Sequence, residues 1–192
     1  MPRQHPQTAR STSGITMIEL IISILILTVA AYMLSSTITA SLSHTVAKRE
    51  QAVAVEAAMN KMEEMRAEEF IDLFRIYNAN PNDDPLGAGT AVGEEFDVVG
   101  LDAIVAEGGA VLPVGRVIIP QMGNELREDQ VDPDLGLPRD LNGDFLVDGL
   151  DHSEDYLVLP VIVRIEWSGR LGPRSFEMST MFVDLRKEGD AL

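Results

Sequence analysis

The chain predicts an α+β fold: one long N-terminal helix, apolar in its first half and amphipathic in its second, packed on a small antiparallel sheet. Two observations carry the helix. Between Ile15 and Phe74 there is neither Pro nor Gly, the residues that most often punctuate secondary structure. Ala54, Ala58, Met62 and Met65 recur at spacings of four, four and three, which places them on one helix face. A third observation carries the sheet, because beyond Gly93 the apolar residues form short alternating or β-branched runs separated by turn residues, as strands do. A length of 192 residues allows one folded domain besides an N-terminal anchor.

Residues 1–14 hold Arg3 and Arg10, are otherwise polar, and carry no apolar period. They read as a leader on the cytoplasmic side of a membrane. Residues 15–38 are Ile, Leu, Val, Ala, Met, Ser and Thr with Tyr32, and their only charge is Glu19. Roughly 20 apolar residues cross a bilayer core of about 30 Å, so this half of the helix can span. A carboxylate inside such a segment costs about 2.5–3.5 kcal/mol and is usually there for a partner. Cleavage between Gly14 and Ile15 would create that partner, a cationic amine one helical turn from Glu19, in the same chain or across an interface.

A short basic leader ending in Gly, then an apolar residue, Thr, two apolar residues, Glu and an unbroken apolar helix, here Gly14-Ile15-Thr16-Met17-Ile18-Glu19, resembles the type IV prepilins and the pseudopilins of type II secretion systems. The resemblance implies cleavage after Gly14 by a prepilin peptidase, N-methylation of Ile15, and pairing of Glu19 with the terminal amine of a neighbouring subunit. It also implies a pilin-like fold. Phe is commoner at the first mature position and Leu where Met17 stands, but apolar substitutes fill the same roles. An ordinary secretory signal is the alternative, with Val29-Ala30-Ala31 as its cleavage site; the apolar run continues past that point, and Glu19 would then serve nothing.

Residues 39–76 extend the helix as its amphipathic half. Opposite the apolar row lie Lys48, Arg49, Glu50, Glu56, Lys61, Glu63, Glu64, Arg66, Glu68 and Glu69. Continuous from Ile15 to Phe74, the helix would be roughly 90 Å long. A free coiled coil would need a sustained heptad, which is missing, so the stripe is expected to pack on the chain's own sheet. Asn78 to Gly87, rich in Asn, Asp, Pro and Gly, ends the helix in a solvated connector. Residues 77–192 then form the sheet region. Its strands are Glu95–Val99, Arg116–Ile119, Tyr156–Trp167 and the alternating run around Phe176, Met178, Thr180 and Phe182. The last two form a hairpin across the Ser168–Pro173 turn. Pro160, lacking an N–H, marks an edge or a strand start, and Trp167 anchors the sheet core or the helix contact.

From Glu125 to Asp155, eleven acidic residues face only Arg127 and Arg139. Within this loop (125–155), Asp140, Asn142, Asp144, Asp148 and Asp151 stand at positions 1, 3, 5, 9 and 12 of a twelve-residue stretch. That is the ligand spacing of a calcium loop, whose seventh residue, here Leu146, gives its backbone carbonyl. Phe145 stands where the loop prefers Gly, Asp151 stands where Glu usually binds bidentately, and convincing flanking helices are missing. The Asp-Leu-Asn-Gly-Asp run resembles the single calcium loops of dockerins more than an EF-hand. The alternative is an acidic, turn-rich loop without metal; His152 reads as a solvated loop residue beside it.

A formal charge of −16 argues against nucleic acid, which is held by Lys and Arg clusters. Absence of cysteine removes disulfides and Cys-based zinc sites. His5, His44 and His152 are scattered, and neither a phosphate-binding Gly loop nor a G-x-S-x-G turn is present, so no enzyme activity is expected. The expectation is a minor pseudopilin of a type II secretion or related filament machine. It would be anchored by a single pass in a bacterial inner membrane with its C-terminal domain in the periplasm. Its partners would be the peptidase, other pilin-like subunits and an inner-membrane assembly platform. A surface pilus or adhesin subunit, and a membrane-anchored calcium module that never polymerises, stay open as alternatives.

Overall fold

The computed structural model describes residues 14–184. The predicted leader, apart from Gly14, lies outside them. Helix α1 (Met17–Ala67) contributes to two compact units, one up to His44 and the other from Thr45 onward. In the first unit the large apolar side chains are exposed on every side of the helix, from Met17, Leu20, Ile21 and Ile24 to Tyr32, Leu34 and Leu42. It is long and apolar enough to cross a membrane. Its hydroxyls are turned inward onto the helix's own carbonyls: Ser23 on Glu19, Thr28 on Leu25, Ser36 and Thr37 on Met33, Thr39 on Ser35 and Ser43 on Thr39. Such back-bonding satisfies the polar groups a helix carries into an apolar solvent.

In the second unit the remainder of α1 packs on a four-stranded antiparallel sheet of order β1-β2-β5-β6. Its strands are β1 (Glu95–Phe96), β2 (Gly115–Ile118), β5 (Val158–Gly169) and β6 (Gly172–Val183). A separate ribbon pairs β3 (Gln121–Met122) with β4 (Glu125–Leu126). The expected row is the buried one: Ala54, Ala58, Met62 and Met65 are all almost inaccessible and share one core with Leu159, Val161, Val163, Ile165 and Trp167 of β5. Two alanines and two flexible methionines thus make up the face of α1 that meets the sheet.

The predicted hairpin is present in full register, from Val158↔Val183 to Gly169↔Gly172, so Arg170 and Leu171 alone make the turn. Pro160 lies inside β5, two residues from its start. The N–H groups of Val158, Glu166 and Ser168 go to Leu141, Val114 and Asp102, so even-numbered residues of β5 donate away from β6. On that side β2 ends at Ile118, opposite Ile162; Pro160 therefore sits where the ladder has stopped. β1 is shorter than expected. It pairs Phe96 with Gly115, and a Cβ at Gly115 would collide with the Phe96 ring, so the aromatic ring occupies the space of the missing side chain.

Two expectations are corrected. Lys61 is not on the solvent face: it is buried, its Nζ 2.7 Å from Glu64 and lying over the rings of Phe96 and Tyr77 at 4.8 and 5.8 Å. The aromatic faces and one carboxylate together compensate its charge. Nor does the helix run through Phe74. It ends at Ala67, Glu69 is extended, and a 3-10 turn (Phe70–Asp72) leads into α2 (Leu73–Tyr77). Four glutamates, Glu63, Glu64, Glu68 and Glu69, crowd a helix C-terminus that favours cations, and the bend carries Leu73, Phe74 and Tyr77 into the core. The Tyr156 hydroxyl holds the bend, accepting the Phe74 N–H at 3.3 Å and donating to the Phe70 carbonyl.

Tyr156→Phe takes the hydroxyl away from the buried Phe74 N–H, while the Phe70 carbonyl keeps the Leu73 N–H, and should cost about 1–3 kcal/mol. Urea unfolding followed by Trp167 fluorescence would measure it, and an unchanged midpoint would show that Tyr156 does not secure the bend.

Candidate functional site

The residues singled out in the sequence fall in two places. At the N-terminus, Gly14 and Ile15 precede α1 in non-helical backbone, with both residues exposed. Thr16 is the cap: its carbonyl accepts the Leu20 N–H at 3.1 Å and its hydroxyl lies 3.4 Å from the Glu19 N–H. Glu19 thus sits in the first turn, where the exposed N–H groups favour a carboxylate, and Thr16-x-x-Glu19 has the spacing of a capping box. Among the described residues no cation pairs with Glu19. Local capping therefore accounts for the position of Glu19 in the helix, and leaves its charge uncompensated within an apolar segment.

The second place is the acidic loop, pinned to the start of β5 by the Leu157 and Val158 N–H groups, which both reach the Leu141 carbonyl at 2.7 and 3.0 Å. Its carboxylates are spent on its own backbone. Asp140 accepts the N–H of Gly143 at 2.6 Å and of Phe145 at 2.8 Å; Asn142 accepts from Asp144 at 3.1 Å. Asp144 accepts from Leu146 at 2.8 Å, Asp148 from Leu150 at 2.7 Å, and Asp151 from Leu126 at 3.0 Å. Short polar side chains that bond the backbone two or three residues on wind a loop tightly. At the sixth position Phe145 has φ 70°, the left-handed conformation for which a calcium loop prefers Gly. Among the described residues no group of three or more His, Cys, Asp or Glu side chains converges closely enough to hold a metal ion.

His152 is the main correction. It is not a solvated residue but 3 % exposed, and it stands among carboxylates. Its Nδ1 lies 3.1 Å from Asp155 Oδ1, and its Nε2 lies 3.3 Å from Asp148 Oδ1 and 3.8 Å from Glu128 Oε2. The Asn142 amide is 3.3 Å from the ring. Ionised carboxylates only accept, so a carboxylate beside each ring nitrogen favours the doubly protonated imidazole. Burial opposes that charge. The hydrogen bonds to Asp155 and Asp148 and the charge of Glu128 outweigh burial, and the imidazole's pKa is raised.

Glu128 is itself 1 % exposed and is one of the residues the sequence reading passed over. Its Oε1 accepts the N–H groups of Leu141 and Asn142 at 2.5 and 3.2 Å, so it holds the first turn of the loop and faces His152 with its other oxygen. One signal was there to be read: Asp148 and Asp155 stand four residues before and three after His152, within reach of a single imidazole in a tight loop. Sequence spacing offered no comparable hint of Glu128.

No protein-family model, curated protein or solved structure matches the chain. The two places are therefore interpreted from their own chemistry.

Because the folded pKa of His152 is raised, its contribution to stability is complete below about 6.5, the ordinary histidine value. It is lost as the pH rises through the higher folded value. The urea midpoint should fall over that window, and His152→Gln should flatten the fall; a parent protein equally stable on both sides would show that the ring is not charged.

Proposed function

We propose that the chain is a structural subunit of a type II secretion pseudopilus or a related type IV filament, built on a pilin-like fold and assembled through its N-terminal helix. One observation carries this reading: a helix exposed and apolar on every side whose single carboxylate, Glu19, has no partner among the described residues. A helix hydrophobic all round belongs in a membrane or a core of other helices. Cleavage after Gly14 would free an amine at Ile15, and the Glu19 of an adjacent subunit would neutralise it. Packing of the apolar helices supplies cohesion; the charge pair selects register, because a mismatch leaves an ion unpaired in an apolar setting. The subunits would wait in the inner membrane with the sheet unit in the periplasm until an assembly platform lifts them.

Intact mass and N-terminal sequencing of the protein from its own membranes should give a chain beginning at N-methylated Ile15. Glu19→Ala should leave cleavage and insertion intact. An unpaired charge costs about 2.5–3.5 kcal/mol in such a segment, so the polymerised fraction should fall roughly a hundredfold. A mature terminus at Met1, Ala31 or Tyr32, or normal polymerisation of the variant, would transfer the weight to an anchored module that does not assemble.

The acidic loop supports a second element of this reading, a calcium ion as staple in a chain that has no disulfide. The donor set fits a hard cation: oxygens of Asp140, Asn142, Asp144, Asp148 and Asp151 with the Leu146 carbonyl. The left-handed backbone at Phe145 is the conformation the sixth position requires. Binding would turn these carboxylates away from the N–H groups they now cap. Calcium should raise the melting temperature, a chelator should reverse the gain, and Asp140→Ala should abolish the response; identical melting with calcium and with chelator would remove the ion from the account.

A further inference from the structure

The acidic loop ends in an apolar tip that its own fold leaves outside the core. Phe145 is 93 % exposed, and Leu146, Val147 and Leu150 are 62, 48 and 64 % exposed, with Asp144 and Asp151 exposed beside them. The tip is held in place, since the Phe145 and Leu146 N–H groups are bonded to Asp140 and Asp144. Arg127, elsewhere in the acidic loop, is already engaged by Asp129 and Glu125.

At the other end of β5 the chemistry is reversed. The two-residue turn places Leu171, 53 % exposed, between Arg170 and Arg174, and neither arginine has an ion-pair partner among the described residues. Glu50 lies beneath this turn with its oxygens directed at the Trp167 indole N–H and the Arg170 N–H, each at 3.4 Å. Twelve residues of β5 at about 3.3 Å each separate the two ends by roughly 36–40 Å. The patches are complementary in charge and both apolar at their centres, yet they cannot meet within one chain.

We infer that the Phe145–Val147 tip of one copy docks on the Arg170–Arg174 turn of a second copy, giving a head-to-tail contact between sheet units. Apolar contact at the centre provides cohesion, and opposite charges around it set orientation and exclude tip-to-tip pairing. The contact uses two different surfaces, so it propagates rather than closing as a symmetric dimer. A bilayer with anionic headgroups would repel the Asp144 and Asp151 carboxylates, which argues for a protein occupant over a lipid one. This inference rests on the reading of the chain as an assembling subunit.

The cysteine-free sequence makes the test direct. Full-length Phe145→Cys and Leu171→Cys chains, co-expressed in their own membranes and mildly oxidised, should give roughly tenfold more dimer than Phe145→Cys with Val99→Cys, a pairing of two exposed positions without complementary charge. Arg170→Glu with Arg174→Glu should remove that excess. A yield equal to the Val99 control, or Phe145→Cys chains joining only each other, overturns the inference. A Leu27→Cys chain reports helix packing separately. If it cross-links while the 145–171 pair does not, the head-to-tail contact falls and the filament subunit stands. If neither cross-links, both fall.

Discussion

The second unit is built against one narrow row of side chains on α1. Ala54, Ala58, Met62 and Met65 are buried in one core with the sheet. Against this row β5 sets its odd-numbered residues from Leu159 to Trp167, each almost fully removed from water. Burial of a large apolar side chain is worth about 1.5–3 kcal/mol, so this strand and row dominate the stability of a unit without disulfides. The shorter strands and the loops take their positions from β5, on one side through β2 and on the other through β6.

Several polar groups drawn into this core find partners there. Lys61 lies between two aromatic faces and Glu64, Tyr156 bridges the backbone at the helix bend, and Trp167 directs its indole N–H toward Glu50. The acidic loop follows the same rule more expensively. Glu128 enters the interior to bond two backbone N–H groups, and His152 enters with it among carboxylates that raise its pKa. A loop with eleven acids repels itself, and these buried contacts tie part of it to the body of the unit. The result is a defined surface in place of a loose acidic coil, with its apolar tip held at a fixed place relative to β5.

The first unit obeys a different constraint. Its hydroxyls bond back onto the helix, its large apolar side chains are exposed, and Glu19 has no ion-pair partner among the described residues. In water such a helix is unstable as a monomer, because nothing covers it. A bilayer or a bundle of like helices is the environment that suits such a composition.

Local patterns determined much of this protein before any fold was known. The apolar run, the position of Glu19, the four-four-three row on α1 and the alternation of the last hairpin are short-range periodicities, and their burial or exposure follows directly from geometry. What tertiary structure decided were contacts between residues far apart in the chain: the break after Ala67, held by Tyr156; the burial of Lys61 between Tyr77 and Phe96; the meeting of Glu128 with His152. None leaves a periodic trace, because each depends on which distant side chain fills a neighbouring space, and that is fixed only when β5 closes on the helix.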